Sequence, residues 1–253
     1  MLSEAGPDFS RVIGMQREID GSMLEESAAI WYQLLRAQHA TWKWNGLTAG
    51  DYLEIGVLNG KSASVLANFS SAYGNSLTII DPEIRPQTRK RLDGISPRLR
   101  YIESASETLI HSNFLADNRR SIAFAHIDGM HRFSAVISDL SLCEALLSNF
   151  GIISVDDFHT DLFPQIPAAV YKYLYSGPAD LSIFLVGMNK AYLCRNIAKR
   201  YFMEFARNQL LPGLRALGYK LTLVKTDRND AFDAFAISAF FEGDAFGNEH
   251  SPV

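Results

Sequence analysis

A chain of 253 residues, 47% hydrophobic and 21% charged, has the composition of one globular α/β domain with or without a cap. Its 24 Lys and Arg against 28 Asp and Glu leave a net charge of −4, which argues against nucleic acid as the main partner, because phosphate neutralisation needs clustered cations. No apolar run reaches the roughly 18–20 residues that span a bilayer, residues 1–20 lack a signal-like apolar core, and Cys143 and Cys194 have no CxxC partner. We therefore expect a cytoplasmic protein with two buried free thiols, no membrane contact and no disulfide or zinc site.

Residues 1 to about 20 have no clear period and read as an arm or lid. From 21 to 40, Met23, Leu24, Ala28, Trp31, Leu34 and Leu35 recur at helical spacing, and Ser22 followed by Glu25 has the pattern of a capping box. "NGLTAG" breaks the chain. Strand and helix then alternate. Apolar strands are expected at 51–56, 76–81, 99–104, 121–128 and 151–158, with helices at 61–73, 86–95, 106–117 and 132–150. The strands are apolar throughout rather than alternating, as in a parallel sheet covered on both faces. The basic run at 85–100 reads as a solvated face.

The last third differs. A helix at 164–177 precedes strands "LSIFLVG" and "KAYLCR", joined by Met188 and Asn189. A long helix at 197–218 should break or kink near Pro212, and "YKLTLVKT" and "AFDAFAISAFF" read as two more strands. Short connections favour antiparallel pairing there. The expected fold is α/β: a Rossmann-like, doubly wound, mostly parallel sheet with antiparallel strands at the C-terminal end and a helical N-terminal addition. We divide it into an N-terminal helical cap (1–45), a core (46–195) and a C-terminal helix and strand extension (196–253).

Ligands of open α/β sheets sit beyond the carboxyl ends of the strands. The first strand runs into "EIGVLNGKS", where Gly56 permits a sharp turn and Gly60 lets a helix start close to a ligand. The G-x-x-x-G spacing is neither the dinucleotide fingerprint nor a P-loop. Glu54 would repel phosphate and suits an amine, and Ser62 follows the loop. Asp81, ending the second strand, can accept hydrogen bonds from both hydroxyls of a ribose. Glu103, Ser104 and Ser106 supply polar contacts after the third. An adenosine with an amino-acid tail and no phosphate is S-adenosylmethionine.

The fourth and fifth strands end in "HIDGMH" and "SVDDFH". Adjacent parallel strands lie about 4.8 Å apart, so Asp128, Asp156 and Asp157 can converge, and carboxylates that converge favour a hard cation: Mg²⁺, Mn²⁺ or Ca²⁺. His131 follows Asp128 past Gly129 and suits a general base. His126 lies within the strand and reads as a hydrogen-bonded core histidine. Phe158 and His159 line a pocket or sit in a surface loop. Trp31, Tyr32, Trp42, Trp44, Phe163, Tyr171 and Tyr173 read as core, with an apolar pocket as the alternative.

"YLEIGVLNGKSASVLA", "LTIIDPE" and "AHIDGMHRFSAVISDLSLCEALLSNFGIISVDDF" together resemble class I S-adenosylmethionine-dependent methyltransferases, most closely the macrocin O-methyltransferase-like family (methyltransferase family 24), over about residues 50–160. The resemblance implies Mg²⁺ on Asp128, Asp156 and Asp157 and a base at His131, with Asp128 also at the cofactor. Two positions depart from the family: Phe133 stands where Tyr is usual, and Phe150-Gly151 where Gly-Gly is usual. The expected activity is metal-assisted methyl transfer to a hydroxyl of a small molecule such as a sugar or polyketide. The alternatives are metal-independent transfer with His131 as sole base and a non-catalytic cofactor-binding module. A homo-oligomer is compatible with the terminal extensions.

Overall fold

The structure, a computed structural model, describes residues 6–44, 50–226 and 233–239. The chain break at 45–49, the side chain of Trp44 and the end of the last expected strand lie outside the described residues.

Nine strands form one sheet in the order β3-β2-β1-β4-β5-β7-β6-β9-β8. β1 (Asp51–Ile55), β2 (Leu77–Ile80), β3 (Leu99–Ile102), β4 (Ile122–Ile127) and β5 (Leu147–Val155) run parallel. β7 (Lys190–Arg195) inserts antiparallel between β5 and β6 (Leu181–Gly187). β9 (Phe235–Ser238) pairs parallel to β6, and β8 (Thr222–Lys225) pairs antiparallel to β9. The strand order reverses between β1 and β4, the place where doubly wound sheets open a crevice.

Both faces of the sheet are buried, so neighbouring residues of one strand enter opposite cores. Tyr52 and Ile152 join Trp31, Phe69, Phe184 and Tyr192 on one face. Leu53 and Ile153 join Leu140, Cys143 and Ala169 on the other. This explains the unbroken apolar runs. The first face is covered by α1 (Phe9–Glu18), α2 (Glu25–Trp44), α3 (Lys61–Tyr73), α8 (Lys199–Phe205) and α9 (Leu211–Ala216). The second is covered by α5 (Asn113–Asp117), α6 (Phe133–Leu146) and α7 (Gln165–Tyr175). The short α4 (Pro86–Asp93) follows β2. Both cysteines are free and buried.

Several elements differ from expectation. The N-terminal segment forms a helix, α1, whose first turn is capped by the Asp8 carboxylate accepting the Arg11 N–H at 2.8 Å. Ser22 does not cap α2, which begins at Glu25; the Glu25 carboxylate is instead held by Arg17 at 2.5 Å and by the Tyr219 hydroxyl at 2.7 Å. The expected helix at 106–117 is a 3₁₀ turn (Ser106–His111) followed by α5. α6 stops at Leu146, and the chain already pairs with β4 at Leu147. In the last long helix, a π-turn at Ala206–Leu210 separates α8 from α9, and Pro212 sits in the first turn of α9, where a missing N–H costs nothing. No described helix is long and apolar enough to cross a membrane.

Candidate active site

β1, β4, β5 and β6 end at one edge of the sheet, and the antiparallel β7 starts there. Gly56 brings the first two ends together. Its φ is 86°, and a Cβ would lie 2.0 Å from the carbonyl oxygen of Asp128. Only glycine fits, so the turn after β1 presses directly on the tip of β4. Gly60, at φ 81°, then starts α3.

The residues assigned to the cofactor line this turn in different ways. Asp81 accepts the Val57 N–H at 2.8 Å and the Glu83 N–H at 2.9 Å, so it braces the loop, and a carboxylate has further lone pairs to offer. Glu54 is fully buried. It accepts the Ser62 hydroxyl and lies 3.5 Å from Nδ1 of His126. Glu54 is therefore beneath the cleft, not an open partner for an amine, and acts through Ser62. Ser104 pairs with the Thr108 hydroxyl at 2.8 Å. Ser106 donates to the Asp139 carboxylate, so its hydroxyl ties the loop after β3 to α6. Burial pushes the Asp139 pKa up to about 6, against the opposing effect of that bond. Glu103 is paired with Arg89.

Across the edge, His131 stands between two carboxylates. Its Nε2 is 3.1 Å from Asp157 Oδ2 and 3.5 Å from Asp128 Oδ1, and its ring packs on Phe163 at 4.2 Å. The bonds to Asp128 and Asp157 raise its pKa to about 10, more than burial lowers it. Asp157 reaches this position because its backbone is left-handed, at φ 55°, which turns it away from Asp156. Its pKa is lowered by His131 and, beyond the opposing effect of burial, by Asn189, whose Nδ2 donates to Oδ1 at 2.8 Å.

Asp156 faces another way. Its Oδ1 accepts the Asp157 N–H at 2.8 Å, and its Oδ2 binds the ammonium of Lys190. Lys190 is only 1% exposed; it lies 3.4 Å from Nε2 of His126 and 5.5 Å from the Trp31 ring centroid. Burial alone would raise the Asp156 pKa, but Lys190 and His126 hold it well below the usual carboxylate range. His126 is fully buried against Trp31. Burial and Lys190 lower its pKa, Asp156 and Glu54 outweigh them, and it stands at about 8. Glu54, His126, Asp156 and Lys190 thus make a charged floor under the cleft.

The three aspartates do not gather into one cation-sized cluster. Potential ligand atoms fall instead into two groups that share Asp128: His126–Asp128–Asp156 and Asp128–His131–Asp157, each within 4.8 Å. Lys190, Asn189 and Asp139 escaped the reading of the sequence. Lys190 left one trace there, a lone cation opening an apolar strand. Asn189 left another, as the residue that best tolerates φ 63° in the turn from β6 to β7.

Of the aromatic residues considered for a pocket, Trp31, Tyr32 and Trp42 are core. Phe158 and Tyr171 line a cavity, Phe163 packs on His131, and the Tyr173 hydroxyl donates to Glu144 at 2.5 Å. Leu24, Leu58, Met130 and Leu162 in loops, and Phe133 at the start of α6, are exposed apolar side chains.

The profile of a methyltransferase-domain family, methyltransferase family 24, matches residues 53–158, which run from β1 through the end of β5. That stretch of the chain is similar to a methyltransferase domain. Solved structures share its fold. MycE methyltransferase from the mycinamycin biosynthetic pathway, in complex with Mg, SAH and mycinamycin VI, is 14% identical with a TM-score of 0.56 over 75% of this chain, which spans only 53% of that protein. The O-methyltransferase NovP is 14% identical with a TM-score of 0.50, covering 74% of this chain and 88% of its own. A Corynebacterium glutamicum protein is 18% identical with a TM-score of 0.50, covering 76% and 92%. No curated protein matches the sequence. Within the matched stretch the glycine turn, Asp81 and the Asp128–His131–Asp157 group all stand at one edge.

Proposed function

We propose that this protein is an S-adenosylmethionine-dependent O-methyltransferase acting on a hydroxyl of a small molecule. The observation that carries this reading is the contact of the Gly56 turn with Asp128, which sets a phosphate-free cofactor loop beside a carboxylate–imidazole group. Gly56 and Gly60 would leave room for the cofactor, Asp81 would hold its ribose hydroxyls, Ser104 and Ser106 would offer polar contacts from the loop after β3, and Ser62, held by Glu54, and Asp128 would stand near its amino-acid end.

Asp128 and Asp157 fit a divalent cation such as Mg²⁺ by donor chemistry and spacing, with His131 beside them as the base. Asp156 fits less well, because Lys190 already neutralises it. When bound, such an ion would lower the pKa of the acceptor hydroxyl. The chain's own residues orient and deprotonate. Asp128 and Asn189-held Asp157 fix the imidazole of His131, and Phe163 packs against its ring. With its pKa near 10, His131 keeps its own proton at neutral pH. It becomes a base at Nε2 only when the charge of Asp128 and Asp157 is offset. Catalysis otherwise rests on aligning the hydroxyl with the sulfonium methyl.

Thermal denaturation tests the cofactor. S-adenosylhomocysteine at 100 times its Kd should stabilise the fold by about 2.7 kcal/mol, and NAD should leave it unchanged. Calorimetric titration with Mg²⁺ should saturate in the wild type and fail in Asp128→Asn and Asp157→Asn. Lys190 favours a second reading, transfer without a metal, since a buried ammonium already supplies fixed positive charge. Full activity in EDTA would select it.

A further inference from the structure

A cavity of about 880 Å³ opens beside the reactive group, between α7 and the strands β6 and β9. That is the size of a site that encloses a drug-sized molecule. Its walls are Tyr171 and Tyr175 of α7, Val186 of β6, and Ala236 and Ile237 of β9. Its mouth holds Phe158, His159 and Asn189. Asn189 is the shared wall: the same side chain that lines the cavity donates to Asp157 at 2.8 Å, and Asp157 in turn contacts His131. The His159 N–H bonds the other end of the Asn189 amide at 3.2 Å, so the wall is fixed.

The charge of the lining is as informative as its shape. Among the described lining residues there is no Lys or Arg, and the one carboxylate is Glu26. His159 adds an imidazole. From these described residues a phosphate or diphosphate would gain no cation and no charge-assisted hydrogen bond to repay its lost water.

We infer that this cavity is the acceptor pocket, and that it takes the apolar, ring-bearing body of an uncharged hydroxyl compound rather than a nucleoside diphosphate sugar. The inference rests on the methyl-transfer reading above. The acceptor's hydroxyl passes Asn189 to reach Asp157 and His131. Its oxygen attacks the sulfonium methyl, the new C–O bond forms as the S–CH₃ bond breaks, S-adenosylhomocysteine leaves as a neutral thioether, and the hydroxyl proton goes to the free Nε2 of His131, which is unprotonated once the charge of Asp128 and Asp157 is offset.

The test uses full-length protein, tritiated methyl donor and two acceptor sets. One holds uncharged polycyclic phenols and alcohols, among them 7-hydroxycoumarin, quercetin and estradiol. The other holds UDP-glucose and dTDP-glucose. Label should pass to members of the first set only. Ala236→Phe, which fills the cavity, should lower kcat/KM for them at least tenfold while the Kd for S-adenosylhomocysteine stays within twofold. Tyr175→Ala, at a half-exposed position that the fold tolerates, should change the preference among the phenols at least fivefold. Transfer to a nucleotide sugar, no transfer to the first set by protein that binds S-adenosylhomocysteine, or unchanged kinetics in both variants would overturn the acceptor assignment. Failure of the wild type to bind S-adenosylhomocysteine would instead overturn the methyltransferase reading itself.

Discussion

Lys190 sets the chemistry of the charged floor. Its ammonium is buried against Asp156, His126 and the Trp31 ring, so removing it leaves a carboxylate without its counter-charge in a water-poor site. We expect Lys190→Met to destabilise the protein by about 3–5 kcal/mol, the usual cost of breaking a buried pair. Asp156→Asn added to it should recover part of that loss in urea unfolding, because the orphaned charge is then gone. Asp128, His131 and Asp157 were legible in the sequence as polar residues at the tips of apolar strands. The partner of Asp156 was not. Residues 156 and 190 meet only because β7 runs antiparallel beside β5, and no local pattern encodes that pairing.

At the scale of elements, the turn between β1 and α3 and the helix α6 carry the site. Gly56→Ala forces a side chain into a left-handed turn, at about 1–2 kcal/mol, and drives it against the Asp128 carbonyl. We expect a lower Tm and at least a tenfold weaker affinity for S-adenosylhomocysteine by calorimetry, since the turn must withdraw from β4. Asp139 of α6 gives a pH signature. Its folded pKa of about 6 lies above the ordinary 3.8. Its contribution is fully present below about pH 4 and is lost as pH rises through 6. Between pH 4 and 7 the wild type should lose up to about 3 kcal/mol through this group, at about 1.4 kcal/mol per pH unit. Asp139→Asn should remove that slope in unfolding measured across the same range. The G-x-x-x-G spacing announced the turn in the sequence. The role of Asp139 was hidden, because an acid in a helix reads as solvated until packing shows it against Ser106.

For the whole molecule, the single sheet orders stability from its centre outward. β1, β4, β5 and β7 are flanked on both sides and largely buried, whereas β3 and β8 are the edge strands. Amide exchange should be slowest in the four central strands and fastest among the sheet's strands at the two edges, β3 and β8, with ligand slowing the loops after β1 and β4 most. The alternation of apolar strand and amphipathic helix along residues 51–158 determined the doubly wound core by itself, since a strand covered on both faces has no other composition. The positions of the glycine turn and of the acids at strand ends followed from the same reading, because both are local. Only the tertiary structure decided which carboxylate faces which partner. Asp156 went to Lys190 and Asp157 to His131 and Asn189 through the antiparallel insertion of β7, and the cavity beside them exists only because β9 lies next to β6. Those contacts join residues 26 or more apart, and their energies depend on burial and distance that no stretch of sequence contains.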